Sequence, residues 1–388
     1  MRSLATAEDV LARVNELVPT LRSRAAQTEN LRQMHPDNLR DLTQAGVFRL
    51  TMPSDTGGYQ ADDGIVSEVL AQIARGCPST SWICTIMVAV NVVPALLHEE
   101  VGAEIYSTPD LKMTATVAPT GRAEPVDGGY RVTGRWLWNS GGVHSNWFVP
   151  HCITSAEGST SLLAVIPRSE VQYQDTWRAA GMVGTATNLA VVDDVFVPAG
   201  RTLSAENLAK GTYPSRRYSQ IPYYNRPWLM YINTVSAPTL LGTARGAMDV
   251  FMATLAERGG ITFTNWSKAS EAPVVHHQLA KAQLALDGAE MFATRLVGLH
   301  RGASAAPPTL TQRVQARAWL GHVATLAREC VNLLFEVGGA SQVLLSADLQ
   351  RYFRDINVLH QHALIQPSTS GEIYGRHLAG LEPNSELI

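Results

Sequence analysis

Several common catalytic frameworks are missing from this 388-residue chain, and each absence removes a function class. No GxGxxG follows a strand-like run and no GxxxxGK(S/T) loop occurs, which excludes the usual backbone cradles for dinucleotide and nucleotide phosphates. GxSxG is absent, so the strand-to-helix elbow that carries the α/β-hydrolase serine is not encoded. The four cysteines, Cys77, Cys84, Cys152 and Cys330, form no CxxC pair and read as reduced, buried thiols of a cytoplasmic protein. His360 and His362 make an HxH, and His276 and His277 are adjacent, but neither pair has the third ligand and carboxylate spacing of a zinc site, so no metal is expected. Apolar runs such as Val88 to Leu97 are too short and broken to span a bilayer. The N-terminal MRSLATAEDVLARVNELV mixes acidic residues into an amphipathic helix and is no signal peptide. With 31 basic and 34 acidic residues the net charge is -3, which leaves no basic face for nucleic acid.

What remains is a largely apolar chain, 45% hydrophobic and only 17% charged, too long for one ordinary core. So little charge implies that surface is covered, most simply by self-association. Helical spacing dominates the first 112 residues, as in Val10, Val14, Leu17, Leu21, with MPSDTGGYQADDG interrupting as a loop. Helical signal returns at Ile65 to Ala74, Ser79 to Leu97 and Glu100 to Tyr106. From 113 to 205 the period changes to two: GYRVTGRWLW alternates, SLLAVIP is a short buried run, and NLAVVDDVFVP is rich in β-branched residues. An irregular aromatic connector follows. Residues 206–388 then carry three long helical patterns, Leu229 to Arg258, Val275 to His300 and Gln312 to Val337, which predict a bundle. The expectation is an α+β, mostly α protein: N-terminal helices, a central β unit, and a C-terminal bundle. GRWLWNSGGVHSNWF spends three of the eight tryptophans beside a tight polar turn. They either wall a site for a flat ring or fill the gap where sheet meets helices.

Three patterns decide between these readings: MTATVAPTGRAEPVDGGYRVTGRWLWNSG, WRAAGMVGTATNLAVVDDVFVP and EVGGASQVLLSADLQRYFRD. In this order, along nearly the whole chain, they resemble the acyl-CoA dehydrogenase superfamily. The resemblance implies a barrel-like β domain between an N-terminal helical domain and a C-terminal four-helix bundle, with FAD between the β domain and the bundle. It places Trp138, Asn139 and Ser140 against the flavin ring, Ser140 as a donor to the N5 or O4 edge and Trp138 as a wall, with Thr116 among the flavin contacts. Trp136 and Trp147 stay packing residues. Arg258 and Phe263 resemble the element that reaches a neighbouring subunit's FAD, and Gly338 and Gly339 resemble the glycine pair beside it. A homotetramer, a dimer of dimers, is implied. Arg258 also precedes Gly259 and Gly260, where a basic helix C-cap is favoured in any case.

A dehydrogenase of this superfamily needs a carboxylate base after the Arg-Asp of RYFRD, yet His362 and Ala363 stand there; Glu372 is the remaining carboxylate. That departure, with MPSDTGGY and ARGCPSTSWICTIMVAV, resembles the two-component flavin-dependent monooxygenases (group D hydroxylases) of the same fold. The resemblance implies an oxygenase component fed with reduced flavin, FADH2 or FMNH2, by a separate NAD(P)H-dependent reductase. It uses O2, through a flavin hydroperoxide, to hydroxylate a small aromatic or heteroaromatic substrate of catabolism or secondary metabolism. His362 is the expected base, because imidazole titrates in the useful range, with His360 able to exchange roles. Trp82, Asn91, Tyr224 and His362 are the substrate-pocket candidates. Asn91 stands where phenol hydroxylases carry histidine and cannot act as a base, so an indole or an amino sugar (N-oxygenation) competes with a phenol. An acyl-CoA dehydrogenase-like oxidoreductase using Glu372, and a scaffold that has lost activity, are the other readings.

Overall fold

The computed structural model describes residues 6–154 and 160–385; Met1 to Ala5, the start of the N-terminal amphipathic stretch, lie outside them. Six helices come first: α1 (Ala7–Ser23), α2 (Ala25–Leu31), α3 (Pro36–Gln44), α4 (Asp63–Gly76), α5 (Pro78–Val90) and α6 (Glu99–Tyr106). Eight strands follow: β1 (Met113–Val126), β2 (Gly129–Asn139), β3 (Trp147–Ile153), β4 (Ser161–Ala164), β5 (Ile166–Pro167), β6 (Gln172–Gln174), β7 (Asn188–Pro198) and β8 (Thr202–Ser204). The chain ends in α7 (Ala205–Lys210), α8 (Trp228–Leu255), α9 (Pro273–Gly302), α10 (Leu310–Gly338), α11 (Asp348–Leu359) and α12 (Pro367–Leu378). The expected elements are all present, with the bundle helices one to three residues from their predicted ends.

Local rules account for much of this. Thr6 caps α1 by accepting from the Asp9 amide at 3.2 Å while the Asp9 carboxylate accepts from the Thr6 amide at 3.0 Å, a reciprocal capping box. The face Val10, Val14, Leu17, Leu21 is buried. Helix α5 carries no charged residue, and every residue but Ile86 is buried. Pro94 ends the helical run early, in a short 3-10 turn. Pro78–Leu96 has the length and mean hydropathy (1.6) of a membrane-crossing helix, but 94% of it is buried inside this chain. Its hydroxyls find partners across the helix interface: Ser81 and Thr85 each lie 2.9 Å from the Thr239 hydroxyl of α8. Helices α4 and α8 approach closely because of Gly242, where a Cβ would come within 2.0 Å of the Ala71 carbonyl oxygen.

The sheet runs β6-β7-β2-β1-β3-β4-β8, with β5 paired to β3. β1 and β3 are parallel, and the remaining pairs are antiparallel. Among the described residues no ladder joins β6 to β8, so the barrel-like expectation is not met by a closed ring of strands. Trp136 is fully buried and donates to the His151 carbonyl at 2.9 Å; a Cβ on Gly121 would meet its ring at 1.9 Å. Trp147 is buried too, donating to Thr108 at 3.0 Å. Both are packing residues. One hydrophobic cluster fills the N-terminal helices and takes in Met113, Trp147 and Leu203 of the sheet, connector residues Tyr218 and Tyr224, and Trp228 of α8. A second fills the C-terminal helices together with Trp82 of α5, and a third lies within the sheet. Charge pairs lock the layers together: Arg22 and Arg75 share Asp249, and Arg351 and Arg354 of α11 share Glu29 of α2. All four cysteines are buried and unpaired; burial pushes Cys152 and Cys330 up to about 12.

Candidate active site

Strand β2 ends in a bulge. Its register against β7 slips between Trp136 and Asn139, and inside the slip Trp138 adopts φ +65. The bulge swings Trp138 out of the sheet, leaving it 68% exposed, an unusual fate for a large aromatic in a left-handed conformation. Asn139 next to it is fully buried, and its amide is spent on β1: it donates to the Ala115 carbonyl at 3.3 Å and the Thr116 hydroxyl at 3.2 Å, and accepts from Thr114 at 3.3 Å. Asn139 and Thr116 are thus brought together, but Asn139 shapes the turn and has no free amide group for a ring. Gly141 follows at φ +71, where a Cβ would strike Ile83 of α5 at 2.7 Å, so the turn lies directly on α5.

Ser140 is buried and bonded into a loop that strand patterns did not flag. Its hydroxyl lies 2.8 Å from Thr187, Thr187 lies 2.6 Å from Thr185, and Thr185 donates to the Met182 carbonyl at 2.7 Å. The Gly141 amide donates to the Thr185 carbonyl at 2.9 Å. Met182 (φ +53) and Ala186 (φ +46) are left-handed, so three non-glycine residues in strained conformations surround Ser140. From the other side Asp355 of α11 accepts the Met182 amide. Asp355 is 4% exposed, and burial pushes its carboxyl up to about 7 despite that N–H and the nearby Arg354 and Arg351. Thr185, Thr187 and Asp355 escaped the sequence reading as site residues. The available signal was GMVGTATN and the Asp of RYFRD, both used there only as fold markers.

His362 sits just past the end of α11, its ring edge-on to Trp82 of α5 with centroids 5.1 Å apart. Trp82 and Ile83 are neighbours in sequence, so α5 presents one residue to His362 and the next to the Ser140 turn. Burial, then Arg317, pushes His362 down to about 4, so it is neutral at pH 7. Its Nδ1 accepts the Leu364 amide at 3.3 Å, which puts the ring proton on Nε2. Two consequences follow: the group titrates well below the ~6.5 of an ordinary imidazole, and the resting tautomer offers an N–H rather than a lone pair at Nε2. His360 does not share this place. It is buried, its Nε2 takes Arg328 at 3.4 Å, and burial followed by Arg328 lowers its pKa.

The other pocket candidates lie elsewhere. Asn91 is wholly buried, donating to the Phe48 and Leu111 carbonyls and accepting the Met113 amide, so it has no group left for a substrate. Tyr224 donates to the Thr51 carbonyl inside a tyrosine cluster that packs on Arg226, Asp63 and His300. Glu372 is exposed on α12, 3.7 Å from Arg376, which removes it as an internal base. Arg258, Gly338 and Gly339 do converge, lining a cavity of about 620 Å³. Arg258 donates to the Val337 and Gly338 carbonyls at 3.2 and 2.7 Å, capping α10 rather than its own helix. Gly339 needs its φ of +74 to turn the chain away. Phe263, also left-handed, is fully exposed on the adjoining loop. Among the described residues no hydrogen bond or ring contact links this set to Trp138 and Ser140, and no group of three or more metal-ligating side chains occurs.

Residues 234–367 match the acyl-CoA dehydrogenase, C-terminal domain family. The whole chain is 33% identical to a pigment production hydroxylase of a Rhodococcus strain, covering 99% of both. It is 32% identical to the flavin-dependent monooxygenase oxygenase subunit HsaA of Rhodococcus jostii, covering 97% of this chain and 100% of that one. It is 27% identical to the oxygenase component of an FADH2-dependent resorcinol hydroxylase of Rhizobium, covering 97% and 95%. Its fold superimposes on XiaF of Streptomyces in complex with FADH2 and glycerol with a TM-score of 0.90 at 25% identity, covering 98% and 97%. The chain belongs to the flavin-dependent monooxygenases built on the acyl-CoA dehydrogenase fold. It is the oxygenase component of a two-component system.

Proposed function

We propose that this chain binds reduced FAD, in preference to reduced FMN, along Trp138 and Ser140 and hydroxylates a small aromatic or heteroaromatic substrate held beside Trp82 and His362. The observation that carries this reading is the convergence on α5: Ile83 backs the strained Ser140 turn while Trp82 meets the neutral His362. The residues fit a flavin. Trp138 stands clear of the sheet as a flat wall, and Ser140 holds a polar atom at the turn. Bound reduced flavin supplies the two electrons that, with O2, put one oxygen atom into the substrate and one into water. The chain's own part is to orient the substrate, exclude water with the buried faces of α5 and α8, and handle the substrate's proton at His362. To take that proton at Nε2, the imidazole first carries its own proton on Nδ1, giving up the long Leu364 contact.

FAD is preferred because the Arg258, Gly338 and Gly339 cavity has room and charge for the half of the cofactor that FMN lacks. The lining of this cavity includes neither Trp138 nor Ser140, which supports a site completed between subunits, with Phe263 projecting toward the partner. Leu284 and Met291, seven residues apart on α9 and 70% and 64% exposed, are then covered in a cytoplasmic homotetramer. The proposed layout is 1–112, 113–205 and 206–388, with α8 to α11 as the four-helix bundle; the first hydrophobic cluster crosses both boundaries, taking in Met113 and Leu203 of the sheet and Trp228 of α8. The remaining partner is a separate NAD(P)H-dependent flavin reductase. The test is to supply chemically reduced FAD and labelled O2 to the chain with a panel of phenols and indoles. One labelled oxygen in a product supports the reading. Flavin oxidation no different from that of free flavin, with no oxygenated product from any substrate, defeats it.

A further inference from the structure

The hydroxyl chain behind Ser140 has a direction. The Thr185 hydroxyl sits 2.7 Å from the Met182 carbonyl oxygen, which has no proton to give, so the Thr185 proton must lie between them. The Thr185 oxygen can then only accept from Thr187 across their 2.6 Å contact. Thr187, its single proton spent, can only accept from Ser140 across 2.8 Å. Ser140 has no other hydrogen-bond partner among the described residues, and its one proton points inward. Toward the flavin edge it presents lone pairs alone.

We propose that Thr185 and Thr187 are positioning residues that hold Ser140 as a hydrogen-bond acceptor, so that the site selects reduced flavin over oxidised flavin. This rests on the reading that the N5 edge lies at Ser140. The chemistry of the ring supplies the selectivity. Reduced flavin carries a proton on N5 and can donate to a fixed lone pair, whereas oxidised flavin offers N5 only as an acceptor and meets the Ser140 lone pair with repulsion. The expectation of Ser140 as a donor is thereby reversed. The loop is built to keep this order. Thr185, Thr187 and Ser140 are at most 7% exposed, and the strained residues Met182 and Ala186 pin the threonines through the Asp355 bond to the Met182 amide. Turning the chain round would leave the Thr185 and Met182 oxygens facing each other at 2.7 Å without a proton.

The test compares dissociation constants for oxidised FAD and anaerobically reduced FAD, measured by equilibrium dialysis on the full-length protein. Wild type favours the reduced form. In Thr187→Val, Ser140 loses its acceptor and turns its proton outward, and in Thr185→Val the chain reverses. Each should shrink the reduced-over-oxidised preference by roughly two- to tenfold, the worth of one neutral hydrogen bond, mainly by tightening oxidised FAD. Thr187→Ser keeps the hydroxyl and should keep the wild-type ratio, which separates direction from packing. If Ser140→Ala alters the ratio while both valine variants leave it at the wild-type value, the proposal is overturned and the flavin placement stands. If Ser140→Ala leaves both constants unchanged, the flavin placement fails and the proposal with it.

Discussion

Replacing Asp355 by asparagine should flatten the pH dependence of stability. The carboxyl is 4% exposed, accepts the Met182 amide, and is pushed up to about 7 chiefly by burial. In the unfolded chain the same group titrates near ~3.9. Between those values the folded protein holds a proton that the unfolded chain has released, so stability falls as the pH rises from about 4 to about 7, and the loss is complete above that. Three units at about 1.4 kcal/mol each put the ceiling near ~4 kcal/mol. Asparagine keeps an oxygen for the Met182 amide and cannot ionise. Urea unfolding followed by tryptophan fluorescence, at one protein concentration in half-unit steps from pH 5 to pH 8, gives both profiles. Other groups with shifted pKa values, such as His300 and His362, titrate in both proteins and cancel in the difference. Wild type should lose ground to Asp355→Asn steadily up to about pH 7. A difference that stays constant across the range would mean that Asp355 is ionised throughout, held by Arg351 and Arg354, and would refute the argument.

Three further outcomes are expected. His362→Ala should slow hydroxylation by roughly 10²- to 10⁴-fold while peroxide release rises in proportion, and the wild-type rate should hold well below pH 6.5 because burial lowers this imidazole to about 4; hydroxylation at the wild-type rate would make the residue structural. Trp138→Ala should leave the unfolding free energy within about 0.5 kcal/mol, since the side chain is 68% exposed, yet weaken flavin binding by roughly tenfold in a fluorescence titration; unchanged affinity would remove it as the wall of the ring. Arg258→Ala should weaken reduced FAD by roughly tenfold or more and leave reduced FMN alone, because only FAD carries the half of the cofactor assigned to that cavity; equal losses for both would point to its capping of α10 instead.

Much of this protein was legible in its residues. The amphipathic face of α1, the uncharged α5, the period-two strands and the three long bundle helices follow from local rules that need no partner. Trp138 and Ser140 are candidates on sequence because the polar pair after a strand-end tryptophan is a continuous pattern, and His362 because its position breaks a carboxylate motif. Asn91 and Tyr224 were misplaced for a physical reason. A polar side chain beside a pocket helix can face a ligand or satisfy buried backbone, and sequence does not say which. Asn91 closes three backbone bonds and Tyr224 one.

The sequence by itself determined which elements form and which family of chemistry they serve, since periodicity, caps and motifs are written along one strand of chain. Tertiary structure decided how the charges and protons are arranged. The pKa of His362 falls because it is buried near Arg317 and against Trp82, residues 45 and 280 positions earlier in the chain. The direction of the Ser140 proton is set three bonds away by the Met182 carbonyl, held in place through Asp355. Burial and hydrogen-bond direction depend on what long-range packing brings near, and a linear pattern does not encode them.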